Sequence, residues 1–350
     1  MSDGPIKAAV VGYGYSGSRI HVPLILLAPQ MCLAGVCSSD ESKRHQIARN
    51  LACRAYSSFD EVLADGEIEL VVLATPNLLH APQALAALRA GKHVLIDKPM
   101  CLTSMESQQL IACSKSTGMA LSVFHNRRWD GDYLTLKHLM ESGELGDLRW
   151  LEMAWQRPGP PRTWKQEAGR GGGRLIDLGS HLIDQALHLF AAPVSNVFCR
   201  MHRDYPGLDI ESHCLLTMEF ADGRTVVIDT TGICYSPKPR FLALGSKATF
   251  SKHGVDPQET ALAQGHIDEA RESESDWGTL TGPSSARRVE TLPGRWRDFY
   301  EVLGKALRQW PGGKLPVSGE DGARVIAVLE AARQSAAGGR VVVLRRLNVA

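Results

Sequence analysis

Ile6-Lys7-Ala8-Ala9-Val10-Val11-Gly12-Tyr13-Gly14-Tyr15-Ser16-Gly17 is the stretch whose reading decides the fold. A short, mostly apolar run of the kind found in strands buried on both faces leads directly into G-x-G-x-x-G, and a helix-like segment follows. In that context the glycines allow a tight turn and a close approach of backbone to a ligand. The helix N-terminus behind them offers N–H groups and a partial positive charge to a pyrophosphate. Outward from this motif, residues 32–37, 70–75, 93–97 and 119–124 read as further short buried strands. Helical patterns lie between them. One, over 78–90, ends at Gly91 as helices end at a C′ glycine. The next opens with Thr103-Ser104-Met105-Glu106, the spacing of a capping box, and stops before Gly118. Alternation of this kind predicts an α/β, doubly wound parallel sheet with helices on both faces.

After about Asn126 the pattern changes. A helix over 132–142 is followed by longer strands at 148–155, 194–202, 213–220, 224–232 and 241–250, with Ala221-Asp222-Gly223 as a hairpin turn. These predict a second, α+β domain built on an open-faced, largely antiparallel sheet. The polar stretch 256–293 reads as an irregular excursion, 317–337 as a closing helix and 340–344 as a last short strand. The division expected is 1–124 for a dinucleotide-binding domain and 125–350 for a substrate-binding and dimerisation domain.

Composition removes several function classes. With 350 residues and 44% hydrophobic content the chain can bury a sizeable core without staples. Its 39 Lys+Arg against 38 Asp+Glu give a net charge of +1, so no global field favours nucleic acid or an anionic membrane. The eight cysteines contain no Cys-x-x-Cys pair, which removes zinc-ribbon and redox motifs. No signal-peptide pattern opens the sequence and no run of about 18 apolar residues occurs, so a cytoplasmic protein is expected.

Where a NAD site places Asp or Glu after the second strand, this chain reads Val36-Cys37-Ser38-Ser39-Asp40, with Lys43 and Arg44 close behind. Small hydroxyls at Ser38 and Ser39 beside two cations suit a 2′-phosphate, so NADP is favoured over NAD. Asp40 reaching the ribose would restore NAD.

Two further segments carry chemistry. Asp97-Lys98-Pro99 stands at the end of a predicted strand, where open parallel sheets bind ligands. Asp177-Leu178-Gly179-Ser180-His181-Leu182-Ile183-Asp184 opens a helix, and a four-residue spacing allows Asp177 to orient the His181 imidazole. Taken with the glycine motif, His21-Val22-Pro23, Ala74-Thr75-Pro76-Asn77 with His80, and Ala90-Gly91-Lys92-His93-Val94, these segments resemble the glucose–fructose oxidoreductase, inositol dehydrogenase and MocA family of pyridine-nucleotide enzymes. The resemblance covers nearly the whole chain, with Asp97 where the family usually has Glu. Phe124-His125-Asn126-Arg127-Arg128-Trp129-Asp130, with Trp164 and Tyr205, resembles most the NADP-dependent scyllo-inositol dehydrogenase branch.

The resemblance implies a Rossmann domain followed by an open-faced sheet domain that often forms a dimer interface. It implies Lys98 near the reacting hydroxyl, His181 as the proton-transfer residue and Asp177 as its partner at the substrate. Gly12, Tyr13, Gly14, Tyr15 and Gly17 would line the pyrophosphate, and Ser38 and Ser39 the adenosine ribose. Thr75, Pro76, Asn77, His80, Asp97, Lys98 and Asn126 would meet the rest of the cofactor, while Asn126, Arg127 and Trp164 would border a sugar or polyol substrate. No metal is expected in this scheme, although Asp177, His181, Asp184 and His188 form one helical stripe with metal-ligand chemistry. His21 reads as a satisfied interdomain histidine or a substrate-side group, and Arg127-Arg128 as a grip on cofactor or substrate. Trp150 and Trp155 read as core or as an apolar wall. The activity expected is reversible hydride transfer between NADP and a secondary alcohol. The alternatives are a reductase of a non-sugar carbonyl and an NADP-binding regulator without turnover.

Overall fold

The computed structural model describes residues 4–344. They fold as two compact units. The first comprises the chain up to Asn126 with Glu259–Ile267 and Arg295–Ala323; the second comprises Arg127–Gln258, Asp268–Gly294 and the chain from Arg324 onward. Residues 259–267 and 295–323, which the division at 124 assigns to the second domain, therefore belong to the first unit.

In the first unit β1 (Ile6–Val11), β2 (Met31–Cys37), β3 (Arg54–Tyr56), β4 (Leu70–Leu73), β5 (His93–Asp97) and β6 (Leu121–Phe124) form one sheet in the order β3-β2-β1-β4-β5-β6. Every pairing is parallel. All residues of β4 and β6 are buried, as expected for strands covered on both faces. Strand order reverses between β1 and β4, the place where doubly wound sheets open a crevice at their carboxyl ends. The helix Ser104–Thr117 begins with the anticipated capping box and ends at Gly118, φ +71°. The helix expected over 78–90 begins as a 3₁₀ turn, Asn77–Leu79, and becomes α-helical over His80–Arg89.

The returning segment supplies a helix the sequence reading overlooked, Trp296–Arg308. Trp296, Phe299, Tyr300, Leu303 and Leu307 are buried at i, i+3, i+4, i+7 and i+11, one continuous apolar face. That face packs on β1, β2 and the helix Val22–Leu27. Phe299 meets Phe124 edge-on with ring centroids 4.8 Å apart. A β-carbon at Gly304 would lie 2.6 Å from that of Gln30, so the glycine permits the close approach. Farther on, Ser122 Oγ donates to the Val317 carbonyl at 2.6 Å, which covers the edge of β6.

The second unit contains β7 (Leu148–Gln156), β8 (Val194–His202), β9 (His213–Phe220), β10 (Thr225–Thr231), β11 (Phe241–Gly245), β12 (Thr249–Lys252), β13 (Gly278–Thr281), β14 (Ala286–Val289) and β15 (Val342–Val343). They form a nine-stranded sheet in the order β14-β13-β12-β11-β7-β10-β9-β8-β15. Only the β7–β10 pairing is parallel. Two expectations are corrected. The single strand over 241–250 is a hairpin, because Gly245 packs where a β-carbon would strike the Leu145 carbonyl and the chain turns there. The excursion over 256–293 is ordered: it holds the helix Gln258–Ala263 and extends the sheet through β13 and β14, with Leu280 buried opposite Phe250. Leu151, Met153, Leu216, Met218 and Ile228 are buried, whereas their neighbours Trp150, Leu215, Thr217 and Val227 are half-buried or exposed. One face of the sheet is thus the core and the other is open. Among the described residues no helix is long and apolar enough to cross a membrane.

Because Phe299 is fully buried beneath the parallel sheet, Phe299→Ala is expected to destabilise the protein by about 3–5 kcal/mol, read from the midpoint of urea unfolding followed by circular dichroism.

Candidate active site

The glycine motif forms the turn that leaves β1. Gly12 has φ +99°, and a β-carbon there would sit 2.6 Å from the Ala74 carbonyl oxygen behind β4. At Gly17 a β-carbon would sit 1.9 Å from the Gly12 carbonyl oxygen, whereas at Gly14 it would meet open space. Two glycines therefore close the turn on itself and the third leaves room for a bound group, which is the geometry a pyrophosphate needs. The segment after it, Gly17–His21, is a π-type turn that runs into the helix Val22–Leu27. Tyr13 is half-buried, and Tyr15 is exposed with its hydroxyl donating to Glu259 at 2.9 Å.

At the end of β2, Ser38 is buried and Ser39 exposed. Arg44 Nη1 donates to both their carbonyls, at 3.0 and 2.9 Å, which parks its guanidinium over this strand end. Asp40 caps its own helix by accepting the Lys43 amide at 3.1 Å.

The loops after β4 and β5 are joined by His80. The ring is buried, with Nδ1 2.8 Å from the Pro99 carbonyl and Nε2 2.9 Å from the Thr75 carbonyl, so both nitrogens face backbone. Burial lowers its pKa, opposed by the Pro99 carbonyl and the Asp97 charge. Thr75 Oγ1 donates to Gln83 at 2.7 Å, and Asn77 is buried. Asp97 accepts the Lys98 amide on one oxygen at 2.8 Å and the Ser16 hydroxyl on the other at 2.5 Å. Burial would raise its pKa, but the His21 ring, Lys98 and Ser16 together hold the carboxyl well below the usual carboxylate range. Lys98 and Pro76 are half-buried and Asn126 is buried.

In the second unit Asp177 lies in a π-type turn, Leu175–Gly179, and His181 in the first turn of the helix Ser180–Leu189. Glu211 accepts the Leu175 amide at 2.5 Å and so caps this segment; burial raises its pKa. Asp177 forms an ion pair with Lys165, Nζ to Oδ1 2.6 Å, an interaction the sequence reading missed although Lys165 adjoins Trp164, which it named. Trp164 itself is half-buried in the turn Thr163–Gln166. His181 lies against the Trp155 indole, centroids 5.8 Å apart. The guanidiniums of Arg127 and Arg240 each stand 4.4 Å from that same ring. Arg127 donates to Asp130 at 3.1 Å, and Arg240 Nε is 3.6 Å from Asp132. Trp155, one of the two tryptophans read as core or as an apolar wall, is thus a wall shared by His181 and two buried cations, and no periodicity or motif signals those three partners.

The helical stripe divides among different tasks. Arg128 grips Asp184 through both carboxylate oxygens at 2.8 and 2.7 Å, and His188 Nδ1 pairs with the Tyr133 hydroxyl at 2.7 Å. Among the described residues no group of three or more His, Cys, Asp or Glu side chains is placed to hold a metal ion. His21 departs from the interdomain expectation: it is fully buried inside the first unit, where Tyr300 and Phe124 enclose it.

Comparison with known proteins follows the same two parts. Residues 6–125 match the oxidoreductase-family model with an NAD-binding Rossmann fold, and residues 133–251 match the GFO/IDH/MocA C-terminal domain. The chain is 36% identical over 348 residues to the uncharacterised oxidoreductase YdgJ of Escherichia coli, covering 96% of this chain and 97% of that one. It is 33% identical to the scyllo-inositol 2-dehydrogenase (NADP(+)) IolW of Bacillus subtilis, covering 97% and 96% respectively. The solved structure of Bacillus subtilis yvaA superposes with a TM-score of 0.92 at 31% identity, covering 99% of this chain and all of the other. A turn closed by glycine at the end of β1, an open-faced second sheet and matches along both units agree: this chain belongs to the GFO/IDH/MocA family of oxidoreductases, with an NAD-binding Rossmann fold.

Proposed function

We propose that this protein is an NADP-dependent dehydrogenase that transfers hydride reversibly between the cofactor and a secondary alcohol of a sugar, inositol or related polyol. The observation that carries the NADP reading is the end of β2. Arg44 stands over Ser38 and Ser39 there, while the nearest carboxylate, Asp40, is engaged in capping a helix. A guanidinium fixed to two backbone carbonyls, beside two small serines, favours a 2′-phosphate; a carboxylate favours a bare ribose diol. The polyol reading is supported by the likeness to the NADP-dependent scyllo-inositol dehydrogenase.

The residues that would hold the cofactor are Gly12–Gly17 at the pyrophosphate, Ser38, Ser39 and Arg44 at the ribose, and the loops of Thr75–Asn77 and Asp97–Lys98 beyond. When bound, the nicotinamide supplies the hydride acceptor. Alcohol oxidation also needs a group to take the hydroxyl proton and one to stabilise the developing alkoxide. On the family pattern, His181 takes the proton, Lys98 stabilises the alkoxide, and Asp177, ion-paired with Lys165, orients the hydroxyls of the substrate. Arg127, Asn126 and Trp164 border it. His181, set against Trp155, has its ring plane fixed by packing, which suits a proton acceptor of defined direction.

The open sheet face supports a homodimer: Trp150, Leu215, Val227 and Leu242 leave apolar surface half-exposed on it. Sedimentation velocity at micromolar concentration is expected to show a dimer or a dimer of dimers, and a monomer would overturn the assignment.

Nicotinamide reduction with NADP or NAD, across scyllo-inositol, myo-inositol and a panel of aldoses and ketoses, tests the activity. Turnover with NADP on an inositol or sugar is expected, with Lys98→Met and His181→Ala each lowering kcat by about 10²–10⁴. Cofactor bound without turnover on any polyol would overturn the substrate class. Arg44→Ala is expected to raise the KM for NADP by roughly 10–100-fold, the value of a charge-assisted hydrogen bond, while leaving that for NAD nearly unchanged. Equal effects on both cofactors would remove the 2′-phosphate assignment.

A further inference from the structure

Asp97 is where the glycine turn and the lysine loop meet. One carboxylate oxygen takes the Lys98 amide and the other takes the Ser16 hydroxyl, so the direction of this one group sets the position of both. Behind it stands His21, fully buried, with Nε2 3.7 Å from the oxygen that Ser16 uses. Behind His21 stands the Tyr300 hydroxyl, 2.7 Å from Nδ1, on a helix that enters the first unit 279 residues later in the chain. The His21 ring is held by Phe124, centroids 4.4 Å apart, and Phe124 is held in turn by Phe299. None of these contacts reaches an exposed surface at His21 or Tyr300, and the proposed chemistry uses neither residue directly.

The proton inventory restricts the arrangement. Tyr300 keeps its proton, because burial and the Asp97 charge push its pKa well above the ordinary tyrosine value. If Nδ1 carried the only ring proton, the Nε2 lone pair would point at a carboxylate, a repulsive contact in a buried place. If Tyr300 donates to Nδ1, the ring proton lies on Nε2 and faces Asp97.

We propose that Tyr300 and His21 are positioning residues: the Tyr300 hydroxyl donates to His21 Nδ1, fixes the Nε2–H tautomer toward Asp97, and thereby orients the carboxylate that holds Ser16 of the cofactor turn and the Lys98 amide. The helix Trp296–Arg308 thus sets the geometry of the nucleotide turn through a side-chain chain as well as through packing. The inference rests on the reading of the glycine turn as a cofactor site, but not on any particular substrate.

Two readouts need no turnover. In the ¹⁵N-histidine spectrum of the wild-type protein, the histidine whose signals are lost in His21→Gln is expected to show an unprotonated Nδ1 and a protonated Nε2, and to change in Tyr300→Phe. The affinity for NADPH, followed by its fluorescence, is expected to fall at least fivefold in Tyr300→Phe and in His21→Asn. His21→Gln should stay within twofold of wild type, because the glutamine amide nitrogen falls where Nε2 lies, whereas the asparagine amide falls near Nδ1. A purely packing role would not separate Gln from Asn, and thermal unfolding of each variant identifies any that fails to fold. A wild-type spectrum with a proton on His21 Nδ1, whether the ring is neutral or doubly protonated, or equal NADPH affinities in Tyr300→Phe, His21→Asn and wild type, would overturn the inference. Absence of polyol turnover with these effects intact would overturn the substrate reading alone.

Discussion

No β-carbon fits at Gly12 or Gly17, and the first unit is organised around that exclusion. A side chain at Gly12 would strike the backbone behind β4, and one at Gly17 would strike the carbonyl of Gly12 itself. The turn therefore closes tightly enough for the end of β1 to lie against the loop after β4, at the point where strand order reverses. The crevice of a doubly wound sheet opens there. Asp97 at the end of β5 then ties Ser16 in the same turn to Lys98, and His80 ties the loop after β4 to Pro99. A strand-end geometry set by glycine is thus locked by side chains from two later segments, Asp97 and His80.

The second unit relies on buried charge. Arg128 with Asp184, Arg127 with Asp130 and Arg240 near Asp132 are all nearly or wholly buried. Burial lowers the Arg240 pKa, while Asp132 and Asp130 oppose that shift. Buried ion pairs of this kind add little net stability compared with apolar packing, but removing one partner leaves an uncompensated charge, so they restrict the arrangements open to the chain. Here they restrict the walls around His181: Arg127 and Arg240 stand at Trp155, and Gln185 fixes the Arg127 backbone at 2.6 Å.

Much of the fold could be read in the chain because its signals are local. Apolar runs named five of the six parallel strands, Arg54–Tyr56 being too short and polar to read as one; Thr103 and Glu106 marked a helix start, and Gly118 its end. The failures were also local in origin. The strands at 278–281 and 286–289 carry Thr and Arg on an open face, so their alternation looks like a polar loop. The hairpin at 245–248 lacks a strong turn pair, and its glycine is required by a packing neighbour at Leu145 that is distant in sequence. The helix Trp296–Arg308 has a clear apolar face, but it follows Pro293-Gly294 with no side-chain cap at Arg295, so no local start signal marks it.

Of the candidate site, the sequence named candidate residues but not their partners. Motif spacing singled out Gly12 to Gly17, Lys98, Asp177 and His181, since turn closure, strand ends and helix faces follow from short-range sequence. That Asp177 pairs with Lys165, that Trp155 walls His181, and that both nitrogens of His80 face carbonyls depend on segments meeting through the sheet. Sequence by itself determined the family and the two kinds of sheet, because motif spacing, backbone propensity and glycine sterics act over a few positions. Only the tertiary structure decided which buried donor faces which acceptor, because those choices are made by side chains brought together from up to 279 residues apart.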